Sequence, residues 1–279
     1  MAVADRPGPG SLTWRLMGDI RGLLLAPATL VLQVAHPTVG VAVDQHSDFV
    51  AHPWRRLLRT MHSSIRFTYG AGPVAEAEAA RLRRVHEGIR GFDPQGSPYS
   101  ALDPQATAWV HLTLGRFGAE IQRVFATPLP RPELDAFLAE WRQVGRLLGV
   151  DDALLPRDWG AFGDYFDDMV DNTLEDNAAV RDVLRSVAGP IAPSRLFPAA
   201  AWRPVAQRAG DLTTLFTVGT LPAGLRHRLG LVWSPDDEGR LRRRSAMIGS
   251  AVTRLPAPLR YYPQIAPHAG AAWWRQRGG

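Results

Sequence analysis

The sequence predicts an all-α protein built as a single globular helical domain. Three observations predict it: apolar residues recur at helical spacing in segment after segment, short Pro/Gly/Asp breaks separate the segments, and alternating strand patterns are scarce. At 279 residues the chain can bury a substantial core, and no shift in composition divides it. One domain is expected over 12–268, between a flexible Pro/Gly-rich leader at 1–11 and a tail at 269–279. No solenoid repeat and no long heptad run appears.

The first helical pattern covers 12–35. It overlaps the stretch GLLLAPATLVLQVAHPTVGVAV at 22–43, which is long enough to raise a membrane span. Pro27, Gln33, His36 and Pro37 suit a lipid-facing helix poorly, so a buried helix is expected instead. It should end near His36, because the residue before a proline avoids the helical region. Peripheral contact with a membrane stays open. The next helix, 54–68, carries two stripes. Trp54, Leu57, Leu58, Met61 and Ile65 form a core side, and Arg56, Thr60, Ser63 and Phe67 form the other, with Arg59 beside them. Phe67 among polar groups suggests a pocket wall.

A helix at 74–90 follows, in which Ala79, Leu82, Val85 and Ile89 make one apolar stripe and His86 projects from within it. A buried imidazole needs a partner, and spacing leaves two kinds open: a carbonyl or water, or a metal or haem iron. In the helix at 104–125, His111 lies at the margin of Val110, Leu114, Phe117 and Ile121, beside Gly118, where lost bulk permits close approach. The helix at 131–148 has Pro132 and Glu133 in its first turn, Leu134, Phe137, Leu138, Trp141 and Val144 at helical spacing, and Gly149 at its end.

The helix at 158–172 contains Asp167-Asp168-Met-Val-Asp171, the DDxxD form that isoprenoid synthases use to hold magnesium diphosphate. On a wheel these acids lie opposite Trp159, Phe162, Phe166, Met169 and Val170, as on a solvated face, and no second metal-binding motif follows downstream. A helix at 178–187 precedes a Pro-rich region, 188–204, read as a wrapping loop anchored by Phe197 and Trp202. Helices at 211–218, 222–229 and 238–254 complete the chain.

Composition narrows the chemistry. Without cysteine there is no disulfide, thiolate metal site, iron–sulfur cluster or thiol nucleophile. All 32 basic residues are arginine, so the pI near 10.3 reflects arginine's high pKa while the net charge is only +5. The run RLRRR at 240–244 lacks interleaved aromatics and reads as a solvated helix face, so no nucleic-acid partner is expected. The start lacks a secretory pattern, and the cytoplasm is the expected location. HExxH, GxSxG, Walker and Rossmann motifs are absent.

Taken in order, QVAHP at 33–37, QHSDF at 45–49, RLLRT at 56–60, YG at 69–70, VHEGIRG at 85–91, Tyr99 and WVHLTL at 109–114 resemble the catalytic domain of the rubber oxygenase (latex-clearing protein) and MpaB oxygenase family. The likeness continues through LGV at 148–150, LP at 155–156, LPAGLRHRLGLVWS at 221–234 and LPAPLRYYP at 255–263.

The resemblance implies a globin-like core with additional helices and a haem b whose axial iron ligand stands at His86. It implies O2 as co-substrate and oxidative cleavage of a double bond in an apolar, isoprenoid-like alkene. The distal RxxKT element matches Arg56, Arg59 and Thr60, with arginine in place of lysine. Arginine keeps the charge but its planar fork is not a compact ammonium and does not deprotonate at working pH. Arg59 is then the distal donor, Arg56 and Thr60 touch the pocket or the haem propionates, and His111 stands behind the site. A haem-binding sensor or carrier and a magnesium-dependent isoprenoid synthase using Asp167, Asp168 and Asp171 are the alternatives.

Overall fold

A computed structural model describes residues 6–189, 199–266 and 268. Among them are twelve α-helices, several short 3-10 turns and one two-stranded hairpin, so the protein is a mostly helical single domain. The predicted helix at 12–35 is three pieces: Leu12–Met17 (α1), a 3-10 turn Ile20–Leu24, and Ala26–Val34 (α2). Pro27 sits in the first turn of α2, where its missing N–H costs nothing.

The chain breaks at His36, as expected, and then re-enters a helix at Pro37–His46 (α3), bent 103° from α2. The sequence reading ended the helix at Pro37 and missed that a proline can open a new one. No single helix among the described residues is long and apolar enough to cross a membrane, although the bent α2–α3 pair passes by length and composition.

Pro53–Tyr69 (α4) and Gly72–Glu87 (α5) follow, separated by two residues. Arg90–Phe92 (β1) and Pro98–Ser100 (β2) then pair antiparallel in a hairpin that the helical reading had not anticipated. Asp93 closes its turn by accepting from the Gln95 and Ser97 amides. The hairpin is tied to the end of α3. Gln45 Nε2 donates to the Phe92 carbonyl at 3.0 Å, the Tyr99 hydroxyl donates to Gln45 Oε1 at 2.7 Å, and His46 Nε2 lies 3.0 Å from the same hydroxyl.

Pro104–Phe125 (α6) and Arg131–Leu148 (α7) keep their predicted bounds. Asp103 caps α6 by accepting from the Ala106 amide at 2.8 Å, and Gly149, at φ 81°, stops α7 in the left-handed conformation a side chain would resist. Trp159–Asn172 (α8) and Ala178–Ala188 (α9) precede Ala199–Thr220 (α10), and Ala223–Arg228 (α11) and Pro235–Thr253 (α12) end the order. Residues 199–204, expected as loop, are the start of α10, which carries Pro204 inside it. Residues 190–198, with Phe197, and the tail at 269–279 lie outside the described residues.

The largest core cluster gathers around α2, with Val31 and Val34 packed among Trp109 and Leu112 of α6, Phe162 and Phe166 of α8, and Val180 of α9. Trp109 donates its indole N–H to the Leu32 carbonyl at 2.9 Å, joining α6 to α2. Part of the expected flexible leader is docked. Arg6 donates to the Phe67 carbonyl at 3.0 Å, Pro7 is buried, and its carbonyl accepts from the Trp14 indole at 3.1 Å. Prolines and glycines limit helix formation there, but backbone carbonyls and a guanidinium still hold the segment.

Candidate active site between α4 and α5

Helices α4 and α5 form an antiparallel pair whose register is set by polar contacts. Ser63 of α4 donates to Glu78 of α5 at 2.6 Å, and nearly two turns further from the connection Arg56 and His86 feel each other's charge. The α4 face that carries Ser63 also carries Arg56, Arg59 and Thr60 at i, i+3, i+4 spacing. The structure therefore brings His86 opposite the arginine-bearing face of α4.

The inner face of α5 runs through Ala75, Glu78, Ala79, Leu82 and His86. The first three are buried, while Leu82 and His86 are half-buried. The imidazole is thus less enclosed than the stripe predicts, and Val85 stands 43% exposed. The reason is position: His86 lies in the last turn of α5, and Ile89, counted as helical, falls beyond the helix end. Among the described residues no hydrogen bond or ion pair engages the His86 ring. Burial first, then the charges of Arg56 and Arg81, push its pKa below the usual histidine value, which favours the neutral ring, the form that ligates a metal.

Arg56, Arg59 and Thr60 are exposed. Burial and then the Arg59 charge nevertheless lower the Arg56 pKa. Neither arginine is in an ion pair among the described residues. The same end of the helix pair leaves Trp54 and Leu58 exposed, the latter at 56%, although the wheel assigned both to a core side. That stripe is filled only from Met61 onward, where Met61 and Ile65 meet Trp14, Tyr69 and Tyr261.

The floor is apolar. Phe67 packs with Trp141 and Val144 of α7, and Leu82 lies against them. Phe67, expected as a pocket wall, is a core residue at 4% exposure, because its end of α4 faces α7.

His111 belongs to a different environment. It is buried in α6, its ring stacked on Trp141 at 4.9 Å and 4°. His111 Nε2 donates to the Trp141 carbonyl at 3.0 Å, and Trp141 Nε1 donates to the His111 carbonyl at 2.9 Å. Its Nδ1 is buried without a partner. Burial, against the bond to Trp141, pushes its pKa down to about 4. No hydrogen bond among the described residues links it to His86, Arg56 or Arg59; it lies behind the floor, beyond Trp141.

The helix pair α6–α7 closes tightly because each ring faces a glycine. A Cβ on Gly115 would lie 2.6 Å from Trp141, and one on Gly145 would lie 2.8 Å from His111. Gly118, the glycine singled out in the sequence, faces Met17 and Phe137 instead.

Asp167, Asp168 and Asp171 are all exposed on α8, and Asp168 accepts from Asn172 at 2.8 Å. Among the described residues no group of three or more histidines and carboxylates is placed to hold a metal ion. The arginines of 240–244 are exposed on α12 around buried Leu241, and Arg240 pairs with Asp237.

The residue that sequence reasoning missed is Glu78. It is a charged residue on the apolar stripe Ala75, Ala79, Leu82, which is the signal that could have found it. Its carboxylate is 2% exposed and accepts from Ser63, from Arg66 Nε at 3.1 Å, and from Arg81 Nε at 3.0 Å and Nη2 at 2.5 Å. Burial alone would raise its pKa, but the bonds from Arg81 and Ser63, the Arg81 charge and the bond from Arg66 hold it at about 2.

Over 226 residues the chain is 27% identical to an uncharacterized protein of Mycobacterium tuberculosis and, equally, to an uncharacterized protein of Mycobacterium bovis, covering 78% of this chain and 84% of each relative. No solved structure matches it significantly. The sequence pattern of the family described as ER-bound oxygenase mpaB/B'/rubber oxygenase, catalytic domain, matches residues 14–250. With that match spanning most of a helical domain, the chain belongs to the mpaB/rubber oxygenase catalytic-domain family.

Proposed function

We propose that the protein is a haem b-dependent oxygenase that uses O2 to cleave a double bond in an apolar, isoprenoid-like alkene. The observation that carries this reading is the half-buried, unengaged His86 ring set opposite the arginine face of α4. The residues fit the group by their chemistry: a neutral imidazole for iron, guanidiniums outside any ion pair among the described residues for the propionates, and half-buried Leu82 beside them as an apolar contact. When bound, haem supplies the binding and activation of O2.

The chain's own residues supply the rest. His86 holds the iron through a ring kept neutral by burial and by two nearby cations. Arg59 donates a hydrogen bond on the α4 side, and Arg56 and Thr60 contact the pocket or the propionates. An arginine in this place would orient and polarise without giving up its proton.

The test is the absorption spectrum of protein purified with ample haem, oxidised and reduced. A Soret band that shifts on reduction is expected, and protein that stays colourless overturns the reading. Oxygen uptake with candidate alkenes then separates an oxygenase from a haem carrier or sensor, which would show the band and no uptake.

A further inference from the structure

Both helices of the α4–α5 pair change character at one level. On α4, residues 53–62 include no buried side chain, and Ser63 is the first. On α5, Ala79 is the last buried residue, and everything from Ala80 to Glu87 is exposed or half-buried. The Ser63–Glu78 contact therefore marks the boundary between the filled part of the pair and the open part that carries Arg56, Arg59, Thr60 and His86. Beyond it, neither helix contributes a buried side chain, and half-buried Leu82 reaches the cluster of Phe67, Trp141 and Val144.

We infer that Glu78 is a positioning residue for the His86 site: its carboxylate clamps α4 to α5 through Ser63, Arg66 and Arg81 and so sets where the arginine face stands relative to the imidazole. The inference rests on the haem reading for what the site holds, but not for the clamp itself. Geometry makes the clamp influential. Arg56 lies seven residues beyond Ser63 and His86 eight beyond Glu78, about 10–12 Å at the rise of an α-helix. A tilt of about 10° at the clamp would move the two groups apart by roughly 2 Å over that lever, enough to lose a positioned contact.

Glu78 also occupies Arg81. With its Nε and Nη2 both on the carboxylate, that guanidinium is held against the clamp, one turn below His86 on α5. Arg81 Nη2 lies 3.3 Å from Ser63 Oγ as well, so the guanidinium of α5 also reaches the α4 side of the clamp.

The experiment compares Glu78→Gln and Ser63→Ala with Glu120→Gln. Glu120 is a second buried carboxylate, on α6, which accepts from Arg123 Nε at 2.9 Å and has no bond to α4 or α5. Two readouts are taken for each: haem affinity by titration, and amide hydrogen exchange of residues 53–61 in protein without haem. Positioning predicts that Glu78→Gln weakens haem binding about tenfold, the scale of one charge-assisted hydrogen bond. It also predicts faster exchange in 53–61 for Glu78→Gln and Ser63→Ala, with neither change in Glu120→Gln at matched loss of melting temperature.

Equal effects from Glu78 and Glu120, or no effect on 53–61, would reduce Glu78 to an interior ion pair and overturn the inference. Should the wild-type protein bind no haem, the functional reading fails, and the exchange measurement alone still decides the clamp. Ser63→Ala keeps both arginines on Glu78, so it answers even where Glu78→Gln does not fold.

Discussion

The α6–α7 pair and the α4–α5 pair are built alike and finished differently. In both the helices run antiparallel, and each pair carries a histidine on an inward face. Between α6 and α7 the space is filled by the chain itself: the His111 and Trp141 rings stack, exchange hydrogen bonds with each other's backbone, and press against Gly145 and Gly115. Between α4 and α5 the filling stops at Ser63 and Ala79, and His86 stands past that limit near Arg56, which has no ion pair among the described residues, and Arg81, which is held by Glu78. The difference teaches that burial alone does not single out a functional histidine. The more deeply buried ring bonds and stacks with Trp141, while the less buried one has no hydrogen bond or ion pair among the described residues.

The sharpest way to break this contrast is His86→Ala. It should abolish the Soret band, a loss of at least about 100-fold in haem affinity or roughly 3 kcal/mol, while circular dichroism and melting temperature hold. Full occupancy with an unchanged spectrum would remove His86 from the site. The complementary change, His111→Ala, should cost about 3 kcal/mol in a urea titration, because it leaves a cavity against Trp141 and strips the Trp141 carbonyl of its donor. Haem affinity per folded molecule should stay nearly constant. A stable His111→Ala that loses haem would invert the assignment.

Acid sharpens the comparison next. The folded Glu78 pKa is held near 2, below the ordinary 4.5. Its contribution is therefore fully present above pH 4.5, shrinks as pH falls through 4.5 toward 2, and is gone below. Allowing for the partial exposure of Arg66 and Arg81, it amounts to about 2–3 kcal/mol. Stability measured from pH 6 to pH 2 should fall less steeply in Glu78→Gln than in the wild type; parallel curves would count against the clamp. A smaller effect is expected from Arg56→Gln, which removes one of the two charges acting on His86. The His86 pKa in haem-free protein, followed by NMR, should rise. The smallest is none: Asp167→Asn with Asp168→Asn should leave stability within about 0.5 kcal/mol and show no magnesium dependence, as expected of exposed carboxylates.

The fold was legible where local and tertiary signals agree. Helix α6 begins at a capping aspartate followed by proline, α7 stops at a glycine in a left-handed turn, and both bounds could be read directly. Where a proline served two roles, reading failed. Pro37 ends one helix and opens α3, and Pro204 sits inside α10 at a point taken for loop. Three-residue strands such as β1 and β2 carry too little alternation to register beside long helical patterns.

The site was legible as a set of positions. His86 on the inner face of α5 and Arg56, Arg59 and Thr60 on one face of α4 follow from helical spacing. Which stretch of each stripe is covered does not, since Leu58 and Phe67 exchanged their expected roles according to what α7 and the C-terminal segment reach.

The hairpin that follows His86 offers a practical opening. Its two strands are held independently: Gln45 grips the first through the Phe92 carbonyl and the second through Tyr99, while the turn at 93–97 projects away with an exposed surface. Cutting or lengthening the chain at Gln95–Gly96 leaves both stumps moored to α3. A short reporter loop can accordingly be grafted there, giving a label a few residues from the end of α5 without altering that helix.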